Sequence, residues 1–298
     1  RLAVFIGRKG TGKTANLYQI RRHFSAESND LVITVKPVSF RLEGFVRLVT
    51  EVFSERDEID DFVERVWRVV VYSDVALELY RQIESRPSYY DLLEAEDTLM
   101  RHVEDHLDFI AADFGEKMDL ILAIALGALE NGLHPKSILR EISSRYADPL
   151  VSIFKSVIRR FQRIVILVDN LDKAWDVHRN VTYQSQIVFG LLGFQNTVRR
   201  DLDWSDGDVR LLIFLREDIF TFVKANAREP DKIQLNVSRV SWEDPDQLAR
   251  VLEERFIAST PALTNAQVWT DLFCAEVKGQ STRDYLLDHI LPRPRDMI

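Results

Sequence analysis

Phosphate binding is the first chemistry this sequence offers. Near its start, "VFIGRKGTGKTANL" sets Gly7, four residues, then Gly12, Lys13 and Thr14 behind an apolar stretch, Leu2 to Ile6, that reads as a buried strand. This is the full Walker A spacing, GxxxxGK[ST], in its strand-to-helix setting. Gly7, Gly10 and Gly12 are expected to let the backbone turn with dihedrals a side chain would forbid, so that successive N–H groups point at phosphate oxygens. A helix beginning near Lys13 adds its positive end. Lys13 is placed to reach β and γ phosphates, and the Thr14 hydroxyl suits a Mg²⁺ shell that phosphates and waters otherwise fill. The whole run of Gly7, Arg8, Lys9, Gly10, Thr11, Gly12, Lys13, Thr14 and Ala15 is the candidate cradle.

Hydrolysis would also need a carboxylate to organise the metal and a group to position water. Asp169, closing the apolar run of "RIVILVDN", is the candidate metal-organising residue at the carboxyl edge of a sheet. The next position, where many ATPases carry a general-base Glu, is Asn170, whose amide orients water but takes no proton. Asp172 is the nearest remaining carboxylate, a candidate base or support for the metal, with a plain helix N-cap as its alternative. In "LLIFLRED", Arg216 stands where a guanidinium would register the γ-phosphate, or else pair with Glu217 or Asp218. Arg293 and Arg295 of "RPRD" either come back over the nucleotide or form a solvated basic turn.

These residues need a scaffold, and the pattern is α/β. Strands are expected at 2–6, 31–35, 163–170, 210–215 and 233–235, with helices after each. From about Phe45 to Gln162 the periodicity is almost wholly helical: Phe62, Val66, Val69 and Val70 line one stripe, and Leu99, Val103, Leu107, Ile110 and Phe114 another. Ser88 with Asp91, Pro135, Pro149, Asp244 with Pro245, and Ser281 are the start signals. The organisation expected is a first part of a P-loop core (1–44), a helical insertion (45–162), a second part of the core (163–240) and a truncated helical lid (241–298). Beginning at Arg1 inside a strand, the chain reads as a portion of a longer protein with sensor or effector parts elsewhere.

"GRKGTGKT", "VILVDNLDKAWD", "LLIFLRED" and "LPRPRD" together resemble the AAA+-related STAND class of signal-transduction ATPases, and more closely bacterial P-loop ATPases of multidomain proteins, some linked to defence against phage. The resemblance covers about half the chain. It implies an AAA+/STAND-like parallel sheet with a lid, ATP and Mg²⁺ as ligands, and slow hydrolysis or ADP-to-ATP exchange that controls oligomerisation or effector activation. Gly7 to Thr14 would carry phosphate and Mg²⁺, Asp169 the metal, Arg216 a sensor role and Arg295 a lid contact. Asn170 departs from the second acidic residue common in that class.

Other classes fit less well. No NKxD element follows Leu215, against a GTPase, and Arg228 stands alone where a small-molecule kinase lid carries several arginines. A nucleic-acid-dependent AAA+ motor or loader is the alternative, with basic clusters at Arg159, Arg160 and Arg163 and at Arg199 and Arg200. A formal charge of −8 gives it no general support. His102 and His106 read as a solvated face, because Val103 occupies the position where HExxH needs Glu. Trp67, Trp175, Trp242 and Trp269 read as packing residues. The lone Cys274 reads as core and excludes a disulfide framework, and no apolar run is long enough to span a bilayer. A cytoplasmic chain without a membrane partner is expected.

Overall fold

The computed structural model describes residues 2–27, 29–37, 49, 56–87, 89–173, 175, 181–202, 207–226 and 237–297. The expected helix onset at Phe45, the cap Ser88, the strand 233–235 and Arg228 lie outside them. A strand of the sheet is found at Val237–Arg239.

Five strands form one sheet: β1 (Leu2–Gly7), β2 (Asp30–Val35), β3 (Arg163–Val168), β4 (Asp208–Arg216) and β5 (Val237–Arg239), in the order β2-β3-β4-β1-β5. Every pairing is parallel. Period-two alternation decides which face each side chain serves. Ala3, Phe5, Val165, Leu167, Leu212 and Phe214 pack under α1 (Lys13–Ser25) through Leu17 and Phe24. The intervening Val4, Ile6, Ile164, Ile166, Ile213 and Leu215 face the opposite layer. Both faces are covered, so the strands are continuously apolar. The helix after β1 and the helix after β4 lie on opposite faces of adjacent strands, which opens a crevice at their carboxyl ends.

The helical stretch follows β2. Its spine is α2 (Arg56–Glu84), then α3 (Glu94–Asp105), α4 (Leu107–Ile110), α5 (Phe114–Glu130), α6 (Pro135–Tyr146) and α7 (Asp148–Val157). The stripe expected from Leu99 to Phe114 is thus broken into three helices, and Leu107, at a break, is exposed. Phe62, Val66, Val69 and Val70 are all buried in one core shared with the sheet. Ion pairs tie the spine to its neighbours: Arg68 to Asp148 and Asp201, Asp74 to Lys117, and Arg86 to Glu96, which also holds Arg160. Burial pushes the Asp74 carboxyl up despite the Lys117 ammonium beside it.

After β3 come α8 (Val181–Asp201) and, following β4, α9 (Glu217–Asn226). The crossing of α2 on α8 depends on Gly190: a Cβ there would lie 2.9 Å from Val63 Cβ and closer still to its Cγ1. We expect Gly190→Ala to lower stability by about 1–3 kcal/mol, the usual cost of overpacking, read as a lower urea midpoint at unchanged slope.

The chain ends in α10 (Pro245–Ser259), α11 (Asn265–Asp271), a hairpin of β6 (Glu276–Val277) with β7 (Gln280–Ser281), α12 (Thr282–His289) and α13 (Pro294–Met297). Asp244 and Ser281 cap α10 and α12 through side-chain oxygens. A small cluster of Leu248, Leu252, Met297 and surrounding aromatics holds this segment together. Cys274 is exposed, not core, because the turn after α11 directs Phe273 into the cluster instead. Among the described residues no helix is long and apolar enough to cross a membrane.

His102 and His106 also depart from a solvated face. Their rings stand 4.6 Å apart, His106 meets Tyr146, and the His102 Nε2 is buried without a partner. Burial, and then the charge of His106, hold His102 below the usual histidine range, against the weaker pull of Asp105. The unfolded chain therefore binds a proton, as pH falls through about 6.5, that the folded chain refuses. Stability should fall across that window. His102→Gln should flatten the difference between urea midpoints at pH 7.5 and 5.5.

Candidate functional site

The glycine-rich loop from Gly7 to Gly12 joins β1 to α1 at the crevice. Gly10 and Gly12 have φ of 92° and 90°, the left-handed region that glycine enters without steric cost. Gly7 does not, and its need is space: a Cβ would lie 2.6 Å from Thr11 Oγ1 and 2.7 Å from Val240 O. Thr11 is buried and faces away from the crevice, its hydroxyl donating to Arg8 O at 3.0 Å. Lys13 Nζ donates to Gly7 O at 3.0 Å and Arg8 O at 2.9 Å. Partial burial lowers its pKa; Asp172 and Asp169 pull it up, while Arg216 pushes it down.

Asp169 follows β3 directly, is 4% exposed, and is aligned by its N–H donating to Val35 O at 3.2 Å. Thr14 Oγ1 donates to Asp169 Oδ2 at 2.9 Å, joining two motifs 155 residues apart. A hydroxyl and a carboxylate side by side are hard oxygen donors of the kind a Mg²⁺ shell takes. Among the described residues there is no group of three His, Cys, Asp or Glu that would hold a metal alone. The site therefore fits a metal that brings phosphates and waters as its other ligands.

Asn170 has φ 70°, a conformation Asn tolerates far better than a longer side chain does. Its backbone thus has a reason to be Asn that the sequence does not display. Asp172 lies in a short 3-10 turn, Leu171–Lys173. Asp172, with Lys9, Gly10, Gly12, Lys13, Thr14, Ala15, Asp169, Asn170, Arg216, Pro294 and Arg295, lines one cavity of about 710 Å³.

The arginines divide. Arg216 lines the cavity but is held by both oxygens of Asp218, through Nε at 3.0 Å and through Nη2, so the ion-pair alternative is present in the structure. Arg295 is exposed and its side chain lines the cavity. Arg293 lies behind the loop, donating from Nε to Asp296 at 2.7 Å and from Nη1 to Lys9 O at 3.1 Å. Arg8 turns to a neighbouring cavity beside Phe222. Of the basic cluster, Arg160 is paired with Glu96 and Arg163 with Asp30.

Trp242 is the site contact that spacing misses. Its ring packs with the C-terminal apolar cluster, while its Nε1 donates to Thr11 O at 2.8 Å. Nothing in "VSWEDP" marks it.

Residues 246–298 match a family model described as the FunZ-associated C-terminal helical domain. The chain is also similar to the "Putative transposon gamma-delta 80.3 kDa protein" of Escherichia coli (strain K12), at 22% identity over 99% of this chain. It spans about 40% of that relative's length. No solved structure matches it.

Proposed function

We propose that this chain is an ATP-binding module that hydrolyses its nucleotide slowly and acts as a switch. On this reading the sheet is a P-loop NTPase core of the AAA+/STAND kind, residues 56–157 belong to a helical insertion, and the C-terminal helices are a lid. The observation that carries it is the Thr14 to Asp169 hydrogen bond of 2.9 Å beside a cradle whose glycines adopt positive φ.

On this reading each residue has a role that its position supports. Gly10 and Gly12 N–H groups would bind phosphate oxygens, and Thr14, with Asp169 through a water, would hold the metal. A bound Mg²⁺ would supply charge neutralisation to the phosphates. Lys13 has three N–H bonds and directs two at loop carbonyls, leaving one for an anion unless it gives those carbonyls up. Asn170 orients water without accepting its proton, which leaves Asp172 as the carboxylate for that task. Arg216 would trade Asp218 for a γ-phosphate, and Arg295 would approach from the lid. Nucleotide state would then change how the lid sits and how copies of the chain, or an effector, meet. Bacterial anti-phage defence is the setting the motif resemblance points to.

A single-turnover assay tests this. The protein is loaded with ATP and Mg²⁺, with GTP as competitor, quenched over time, and the bound nucleotides separated with and without duplex DNA. Bound ATP persisting for many minutes, indifferent to DNA and not displaced by GTP, is expected. Rapid conversion to ADP accelerated by DNA would replace the switch by a nucleic-acid-dependent motor. No retained nucleotide at all would remove the site assignment.

A further inference from the structure

A phosphate cradle works only if its N–H groups face the anion. Because the peptide is planar and trans, a peptide that turns its N–H inward turns its carbonyl outward. Those carbonyls then need donors of their own. For Gly7, Arg8 and Gly12 the donors are local: Lys13 Nζ serves the first two, and Asn16 serves the third through its N–H at 2.9 Å and its Nδ2 at 3.1 Å. Those for Lys9 and Thr11 come from the far end of the chain. Arg293 Nη1 donates to Lys9 O at 3.1 Å, and Trp242 Nε1 to Thr11 O at 2.8 Å.

These two carbonyls belong to the peptides whose N–H groups are those of Gly10 and Gly12. Both glycines are at positive φ, where a peptide plane is least restrained by its own residue. Orienting the Lys9 carbonyl orients the Gly10 N–H, and orienting the Thr11 carbonyl orients the Gly12 N–H. Each donor is itself anchored. The Trp242 ring packs with Leu248, Leu252 and Met297, and Arg293 is gripped by Asp296. The stems of Arg293 and Arg295 also stand 3.3 Å and 3.0 Å from where a Gly10 Cβ would be, so they close the outer side of that peptide.

We propose that Trp242 and Arg293 are positioning residues of the phosphate site. They hold the 9–10 and 11–12 peptides so that the Gly10 and Gly12 N–H groups face the anion, and they link phosphate binding to the seating of the C-terminal helices on the loop. The proposal rests on the nucleotide-site reading given above. Linkage makes it reciprocal: whatever seating adds to phosphate affinity, phosphate adds to seating.

The test separates the two ideas. Trp242→Phe keeps an aromatic ring in the cluster but loses the N–H together with part of the indole's bulk; Arg293→Met removes the donor, and Arg293→Lys restores one. Affinity for Mg·ATP and for inorganic pyrophosphate is measured by calorimetry, and amide exchange is followed in residues 282–297 with and without Mg·ATP. Each single loss should weaken both ligands, by roughly three- to tenfold for the neutral indole hydrogen bond and by about tenfold or more for the charge-assisted one from Arg293. Arg293→Lys should recover most of its share. Mg·ATP should slow exchange in 282–297 of the native protein and much less in the double variant. Should Lys13→Ala lose binding while Trp242→Phe and Arg293→Met bind as the native protein does, the positioning role is wrong and the site stands. Affinity that falls in Arg293→Met without recovery in Arg293→Lys would mark a merely structural contact. Native affinity in Lys13→Ala would remove the site itself. Arg293 is partly exposed, so its variants decide the matter even if ring exchange at Trp242 disturbs the cluster.

Discussion

Lys13→Ala is expected to weaken Mg·ATP binding by at least about 100-fold, since it removes charge-assisted contacts worth roughly 3 kcal/mol or more. Two effects add. The ammonium is a positive charge lining the cavity, and its partial desolvation leaves it poorly screened. It also braces the loop, donating to Gly7 O and Arg8 O, so that its loss frees two carbonyls to turn toward the anion. Lys13→Arg should not rescue, because a planar fork cannot reproduce a compact ammonium in that space. Isothermal titration checks it, with the thermal midpoint of the nucleotide-free protein as control. That midpoint should move little. Equal affinities for the native and variant proteins would remove the phosphate site from this loop.

Asp201→Ala should be the most damaging single change to stability, by about 3 kcal/mol, the cost of leaving a buried charge without its partner. Asp201, at the end of α8, accepts from Arg68 Nε at 2.8 Å and from Tyr72 Oη at 3.1 Å, with side-chain exposure of only 9%. Its removal leaves the Tyr72 phenol, packed against Phe154 and Phe194, without that acceptor, and leaves the partly buried Arg68 guanidinium with one carboxylate in place of two. Asp148 still reaches Arg68 Nη1 but stands half exposed and at the other end of the guanidinium. The thermal midpoint should drop by roughly 5–10 °C for a chain of this size. Replacing Arg68 and Asp201 together by Met and Leu should recover most of that loss, because a paired charge exchanged for packed apolar volume is often neutral. A double variant no better than Asp201→Ala would show that the pair contributes more than its removal cost.

The two halves of the candidate site were legible for different reasons. Walker A is read from one short stretch because every part of it acts locally: a strand, glycines free to turn, a lysine and a threonine at the start of a helix. Asp169 was legible because a buried parallel strand is a continuous apolar run and its carboxyl end is where ligands meet such a sheet. Strand and helix positions in "LLIFLRED" and after Asp244 followed the same way. Arg216 was not decidable at that level. Whether its guanidinium meets Asp218 or the crevice depends on rotamers two residues apart, and both arrangements leave the same letters in the chain.

Boundaries failed where tertiary contacts override a local period. Leu99 to Phe114 reads as one stripe, yet the chain breaks near His106 and at Asp113, whose capping box with Glu116 starts a new helix. Gly7 was expected to serve the turn through its dihedrals, and instead serves by leaving room for Thr11 and Val240. Close approach between elements has no signature in either one alone.

By itself, then, the sequence determined that this chain builds a strand, a glycine-rich turn and a helix, and that an acidic residue ends another buried strand, because those features depend on neighbours a few positions away. Only the tertiary structure decided that Thr14 meets Asp169, that Asn170 sits in a left-handed turn, that Arg216 is held by Asp218, and that Trp242 and Arg293 reach the loop's carbonyls. Each of these is a distance between groups that the fold brings together, and a hydrogen bond between residues 231 positions apart is set by the packing of helices on a sheet, not by the chemistry of either residue.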